Sequence, residues 1–238
     1  MTATAHKLNY GGSAIDYKVM RRDRRTMQIS VLPDMTVEVV APRGATDDAI
    51  FKRINKRAGW IIRQIRHFRQ FHPQTPARQY LAGETHLYLG RRYRLKVLQA
   101  LQSGIKVRGS YIEVHTHFPS RNDTVRRQID DWFKARAHEQ FQKRLEENLA
   151  RFQDPDRHRP RALIVRQLKQ RWGSMTTAGR LVLNRSLIQA SSYEIDYVIT
   201  HELCHRRHHH HGPKFFELLD RVMPDWEKRK KSLERRLA

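Results

Sequence analysis

The chain has 238 residues, 39% of them hydrophobic, enough for one large domain or two small ones with cores of their own. Its 47 Lys and Arg against 24 Asp and Glu leave a formal charge of +23, which points to an anionic partner, although a generally basic, solvated surface would carry the same charge because it is spread along the whole chain. The single cysteine, Cys204, excludes an internal disulfide framework, no apolar run approaches the ~20 residues of a membrane span, and the opening MTATAHKLNYGGS lacks an apolar signal core, so a soluble cytoplasmic protein is expected.

In chain order, residues 27–40 (MQISVLPDMTVEVV) hold two β-rich runs separated by a Pro33-Asp34 turn, the pattern of a hairpin. Thr46 then opens a helix: Ile50, Ile54, Ala58, Ile61, Ile62, Ile65 and Phe68 recur at helical spacing, and Asp47 and Asp48 put negative charge in the first turn, where it suits the helix dipole. A break follows over residues 71–79 (FHPQTPARQ). Two strand-like stretches, 85–98 and 105–117, are each punctuated by Gly. From Asn122 a long amphipathic helix is marked by Val125, Ile129, Trp132, Phe133, Ala137, Phe141, Leu145 and Leu149. It runs out near DPDRHRP, residues 154–160, the most linker-like stretch, which sets the expected domains as 1–155 and 156–238. No internal repeat is visible.

The densest chemistry lies at residues 198–216, VITHELCHRRHHHHGPKFF. His201-Glu202-Leu203-Cys204-His205 is an HExxH pattern. Ser191 and Glu194 stand at capping-box spacing, and Ile195, Val198, Ile199 and Leu203 form an apolar stripe, so the motif is expected within a helix. There His201 and His205 lie about 40° apart on one face and about 6 Å apart along the axis, close enough for two imidazoles to share an ion. Glu202 projects beside them as general base. A catalytic zinc usually takes a third protein ligand. His208 and His209 are too far along a continuing helix. If the chain turns before the helix-stop pair Gly212-Pro213, His211 can fold back as that ligand. The expected site is therefore His201, His205 and His211 on Zn2+, with Glu202 as base.

The C-terminal half resembles the YgjP-like metallopeptidases, relatives of the SprT-like and Wss1-like proteases. The resemblance rests on RWGS (171–174), LNRSLI (183–188) followed by IDYVITHELCH, and HGPKFF leading to MPDW (223–226), and extends more weakly to the N-terminal hairpin and the Trp60-Ile61 helix. Such proteins carry a third His separated from HExxH by five residues, the spacing of His211. The sequence departs at Met175, where relatives often have Cys, and at Gly212, where Ser is common. The resemblance implies an α+β protein in which an N-terminal strand-and-helix region precedes a compact zincin-like domain with an HExxH helix, and a hydrolase acting on peptide bonds; some relatives carry the label of nucleotide pyrophosphatase.

Among the remaining residues, Cys204 reads as a small buried side chain, and Trp172 and Trp226 as core anchors. Arg171 is a candidate contact for substrate or oxyanion, with a structural ion pair as the alternative. The run 180–184 (RLVLN) alternates as a strand should, and in related zinc peptidases a strand at the cleft edge pairs with substrate. The expected partners are a peptide or protein substrate and, through basic clusters such as RRDRR (21–25), DNA, RNA or a nucleotide, with no membrane. The expected function is zinc-dependent peptide hydrolysis. A nucleoside triphosphate pyrophosphatase and a basic nucleic-acid-binding protein with a structural metal are the alternatives.

Overall fold

A computed structural model describes residues 4–32, 34–69, 78–168 and 171–237. They form two compact units, one within residues 4–69 and one within residues 78–237.

The first unit is a four-stranded sheet and one helix. Strands β1 (Thr4–Tyr10), β2 (Ser13–Arg22), β3 (Gln28–Val31) and β4 (Val37–Pro42) lie in the order β1-β2-β4-β3, with β2 and β4 parallel and the outer pairs antiparallel. The expected hairpin is the β3–β4 pair; Pro33 lies outside the described residues. Alternate residues Tyr17, Val19, Val37, Val39 and Ala41 are buried with Ile50, Ile54, Ala58 and Ile61 of helix α1 (Asp47–Arg69). Thr46 caps that helix, its Oγ1 accepting from the Ala49 N–H at 3.2 Å. The side chain of Phe68, and most of the break expected at 71–79, fall outside the described residues. Strands β1 and β2 were not expected from the sequence. Their inward residues are only Leu8, Ile15, Tyr17 and Val19, set among polar neighbours, so the apolar signal is thin.

The second unit begins with β5 (Thr85–Tyr88), β6 (Arg91–Gln99), β7 (Gly104–Arg108), β8 (Tyr111–Thr116) and the long helix α2 (Asn122–Leu149). Its sheet runs β5-β6-β8-β7, again with a central parallel pair between antiparallel outer pairs. The four-strand-plus-helix plan of the first unit is thus repeated, although the sequences show no repeat. The chain continues through α3 (Pro155–His158), β9 (Ala162–Arg166), β10 (Gly173–Met175), β11 (Arg180–Asn184), a 3-10 turn at Arg185–Gln189, α4 (Ser192–Cys204), α5 (Pro213–Val222) and α6 (Trp226–Leu237). The whole is a mixed α/β fold with six helices and three small sheets among the described residues.

The expected division near residue 155 falls inside the second unit. Phe152 and His158 stack at 4.2 Å and are buried, and His158 Nδ1 lies 3.1 Å from the Leu203 carbonyl, so it occupies an acceptor at the end of α4. A polar, proline-bearing stretch reads as a linker, but here it is packed onto the HExxH helix. The same core joins Val125, Phe133 and Phe141 of α2 to Leu181, Leu183, Ile195 and Leu203. At the other end of α4, the β5–β6 turn docks on its N-cap. Gly90 has φ +78°, and a Cβ there would stand 2.7 Å from Ser191 Cβ, so only glycine allows the approach.

Candidate metal centre

Helix α4 carries the first two candidate ligands, and its placement is overdetermined. Ser191 and Glu194 form the expected capping box. Buried Glu194 also accepts from Ser232 Oγ at 2.6 Å and Arg236 Nε at 2.9 Å, which ties α4 to α6. Asp196, 2% exposed, accepts from Arg144 of α2 in a bidentate pair and from Asn148 Nδ2 at 2.8 Å, with Arg229 of α6 at 3.7 Å. Asn148 Oδ1 in turn accepts from Thr200 Oγ1 at 3.0 Å. A buried charge held by this many donors tolerates few positions for the helix.

The helix stops within the motif: His201 to Cys204 complete α4 and His205 is its C-cap. The chain then turns, and α5 begins at Pro213. This turn brings His211 back. One ring nitrogen from each of His201, His205 and His211 lies within 4.8 Å of the other two, and the Nε2 atoms of His201 and His211 are 3.0 Å apart. All three rings surround Phe215, which is fully buried, at centroid distances of 5.0, 4.6 and 4.8 Å. His209 and His210 are exposed and stand outside this cluster, as does His208.

The donor chemistry fits a zinc ion. His205 Nδ1 lies 2.9 Å from the His208 carbonyl, an acceptor that requires the proton on Nδ1 and leaves the Nε2 lone pair for a metal. Burial, with the neighbouring His205 and His211 adding to it, lowers His201 to about 3, so its ring is a neutral donor at any ordinary pH. Three imidazole nitrogens suit a zinc site with one coordination position left for substrate chemistry.

Glu202 is 7% exposed, and its Oε2 accepts from the Met175 N–H at 2.7 Å. Burial pushes its carboxyl up to about 7, against the lowering effects of that hydrogen bond and of Arg171. Strand β10 can lie this close only because of Gly173. A Cβ there would come within 2.9 Å of both Glu202 Cγ and Val198 Cγ1. The preceding segment is fixed by Asn184, whose side-chain amide donates to the Leu168 and Arg171 carbonyls at 3.0 and 3.1 Å and whose N–H donates to the Trp172 carbonyl at 2.8 Å.

Arg171 is exposed and donates to Ser174 Oγ at 3.3 Å; no carboxylate pairs with it among the described residues. Cys204 is buried and its thiol is pushed up to about 12 by burial, consistent with a packing role. Trp172 and Trp226 are partly buried against the core. The strand expected at a cleft edge, β11, is the central strand of the order β10-β11-β9, covered on both edges; β10 is the edge beside Glu202. The sequence reading also missed Gly173, the Met175 N–H, Asn184 and Phe215. Gly173 lies in RWGS and Phe215 in HGPKFF, but a backbone donor carries no side-chain signal, so Met175 could not have been found this way.

No helix among the described residues is long and apolar enough to cross a membrane. No curated protein and no solved structure matches the chain. Residues 25–236 match the family model of the YgjP-like metallopeptidase domain, nearly the whole length, and with the histidine cluster of α4 and the following turn this places the chain in the YgjP-like metallopeptidase family.

Proposed function

We propose that the protein is a zinc-dependent peptidase in which His201, His205 and His211 hold one zinc ion and Glu202 is the general base. Family membership supports a metal-dependent hydrolase. The observation that carries the finer reading is the buried Glu202 carboxylate, fixed by the Met175 N–H and adjacent in sequence to His201, one of three clustered imidazoles. Zinc, when bound, supplies a Lewis acid that polarises a carbonyl and makes water acidic near neutral pH. Glu202, with its carboxyl at about 7, is matched to take a proton from water and return it to a leaving amine. Its second oxygen is held by the backbone of β10, which fixes the direction of transfer.

Strand β10 favours a peptide as substrate. Trp172 and Thr176 direct their backbone groups to β11, so those of Gly173 and Met175 face the opposite edge, where Glu202 takes the Met175 N–H and no strand pairs among the described residues. An extended peptide added along that edge lies next to Glu202. Arg171, exposed at the start of this segment, is the proposed contact for the substrate carbonyl.

Elemental analysis of untagged protein tests the ligand set: one zinc per chain is expected, lost in His201→Ala and His205→Ala and kept in His208→Ala. Full occupancy in His211→Ala would remove the third ligand. Zinc-loaded Glu202→Gln should lose about 10² to 10⁴ in rate on an unstructured protein substrate. Glu202-dependent release of pyrophosphate from a nucleoside triphosphate, without any protein cleavage, would replace the peptidase reading by a pyrophosphatase.

A further inference from the structure

A cavity of about 960 Å³ lies behind the turn that carries the histidines, between the end of α2, α3 and α5. Its wall holds five cations, Arg151, Arg157, Arg207, Lys214 and Arg221, against the carboxylates of Asp154 and Glu217. Both carboxylates are already engaged, Asp154 by Arg157 at 2.8 Å and Glu217 by Arg221 at 3.0 Å, while Arg151 leans toward Asp196 at 3.9 Å. Arg207 and Lys214 are exposed and have no anionic partner among the described residues. The lining is therefore a concave surface with an excess of positive charge, and a concave shape concentrates that field.

Two features select among anions. The walls are helices and turns with no strand edge, so an extended acidic peptide finds no backbone to pair with. Phe152 is buried and stacked on His158, so neither ring offers an open face to a nucleobase, and only the half-buried His208 imidazole is left in the lining. What remains is recognition of charge by guanidinium forks and an ammonium, the chemistry that suits phosphate.

We propose that this cavity binds successive phosphate groups, of a nucleic-acid backbone or of a free polyphosphate, chiefly through Arg207 and Lys214. Its position gives the binding a consequence. His208 lines the cavity, and its carbonyl is the acceptor that orients His205. Lys214 immediately precedes Phe215, the ring beneath the three imidazoles. A phosphate chain bridging Arg207 and Lys214 holds both ends of the turn that delivers His211. The inference concerns binding alone and does not rest on the hydrolase reading.

The test titrates the full-length protein with a labelled single-stranded oligodeoxythymidylate over a range of salt, followed by fluorescence anisotropy. Arg207→Gln/Lys214→Gln removes two phosphate contacts and should lower the slope of log affinity against log salt by about 1.4, which is about a tenfold loss of affinity at about 0.15 M salt. Lys214→Gln alone should lower it by about 0.7. Lys56→Gln/Arg57→Gln, on the exposed side of α1, should keep the wild-type affinity within about twofold. Displacement of the oligonucleotide by tripolyphosphate would make free polyphosphate a ligand of the same cavity; failure to displace it would assign the cavity to a nucleic-acid backbone. Amide exchange across residues 205–214 should slow on binding in the wild type and not in the double variant. An unchanged slope, an equal loss from the α1 pair, or polyglutamate competing as well as the oligonucleotide would overturn the proposal.

Discussion

Helices α1 and α2 each follow a four-stranded sheet of the same strand order, yet one keeps its buried residues on a single face and the other winds them around its axis. The spacing of their apolar residues accounts for this. On α1 the buried positions step by four, four and three, through Ile50, Ile54, Ala58 and Ile61, and at 100° per residue they stay within about 80° of arc. The opposite face is free to carry Lys52, Arg53, Lys56 and Arg57. On α2 the buried apolar positions step by four throughout, through Val125, Ile129, Phe133, Ala137, Phe141, Leu145 and Leu149, and the stripe winds through about 240°. Its first half therefore meets the sheet, where Phe133 packs on Tyr88 and Gln128 Nε2 donates to the His115 carbonyl at 3.5 Å. Its second half faces α4, where Arg144 and Asn148 grip Asp196. A one-residue difference in step separates a helix that completes a small unit from one that also seats the HExxH helix.

The largest expected effect breaks this comparison at its polar tie. Asp196→Ala leaves Arg144 without its buried partner and should cost about 3 to 5 kcal/mol. Asp47→Ala, which removes the exposed Arg21–Asp47 pair of the first unit, should cost about 1 kcal/mol or less. Denaturant unfolding, followed by amide exchange in α4 and in α1, assigns each loss to its unit. Equal losses would mean that the network around Asp196 does not seat α4.

A second test uses pH. His86, fully buried between the second sheet and α2, is lowered to about 4 by burial, with Arg78 adding to it. The unfolded chain takes up this proton near pH 6.5 and the folded chain only near 4. Stability is thus complete above about 6.5 and declines as pH falls through that window, by up to about 3 kcal/mol. His86→Gln should flatten this part of the profile for the second unit, and a decline of unchanged steepness would clear His86 of it.

Steric contact gives a smaller effect. Gly173→Ala forces β10 away from Glu202 and Val198, for an expected loss of about 1 to 3 kcal/mol together with lower turnover. Gly44→Ala in the first unit, where a Cβ meets nothing within 4 Å, should cause no loss. Thermal melts and rates of the two variants read the contrast directly. The smallest expected change is a gain: Gly212 caps α5 without a side-chain bond, so Gly212→Ser should stabilise the second unit by a few tenths of a kcal/mol, within reach of paired denaturant titrations.

What the sequence determined by itself was local. Helical spacing located α1 and α2, the Ser191/Glu194 pair marked the start of α4, and HExxH followed by Gly212-Pro213 named His201, His205 and His211 as candidate ligands, because they lie within eleven residues and one turn joins them. The tertiary structure alone decided what is distant in the chain. The Met175 N–H reaches Glu202 across 27 residues, and Arg144 and Asn148 reach Asp196 across 52 and 48. The position of the unit boundary is of the same kind, since Asp154–Arg159 reads as a polar linker until His158 is seen against the Leu203 carbonyl. Periodicity and capping act within a few turns of chain, whereas a backbone donor or a buried carboxylate acquires its partner only when separate elements pack.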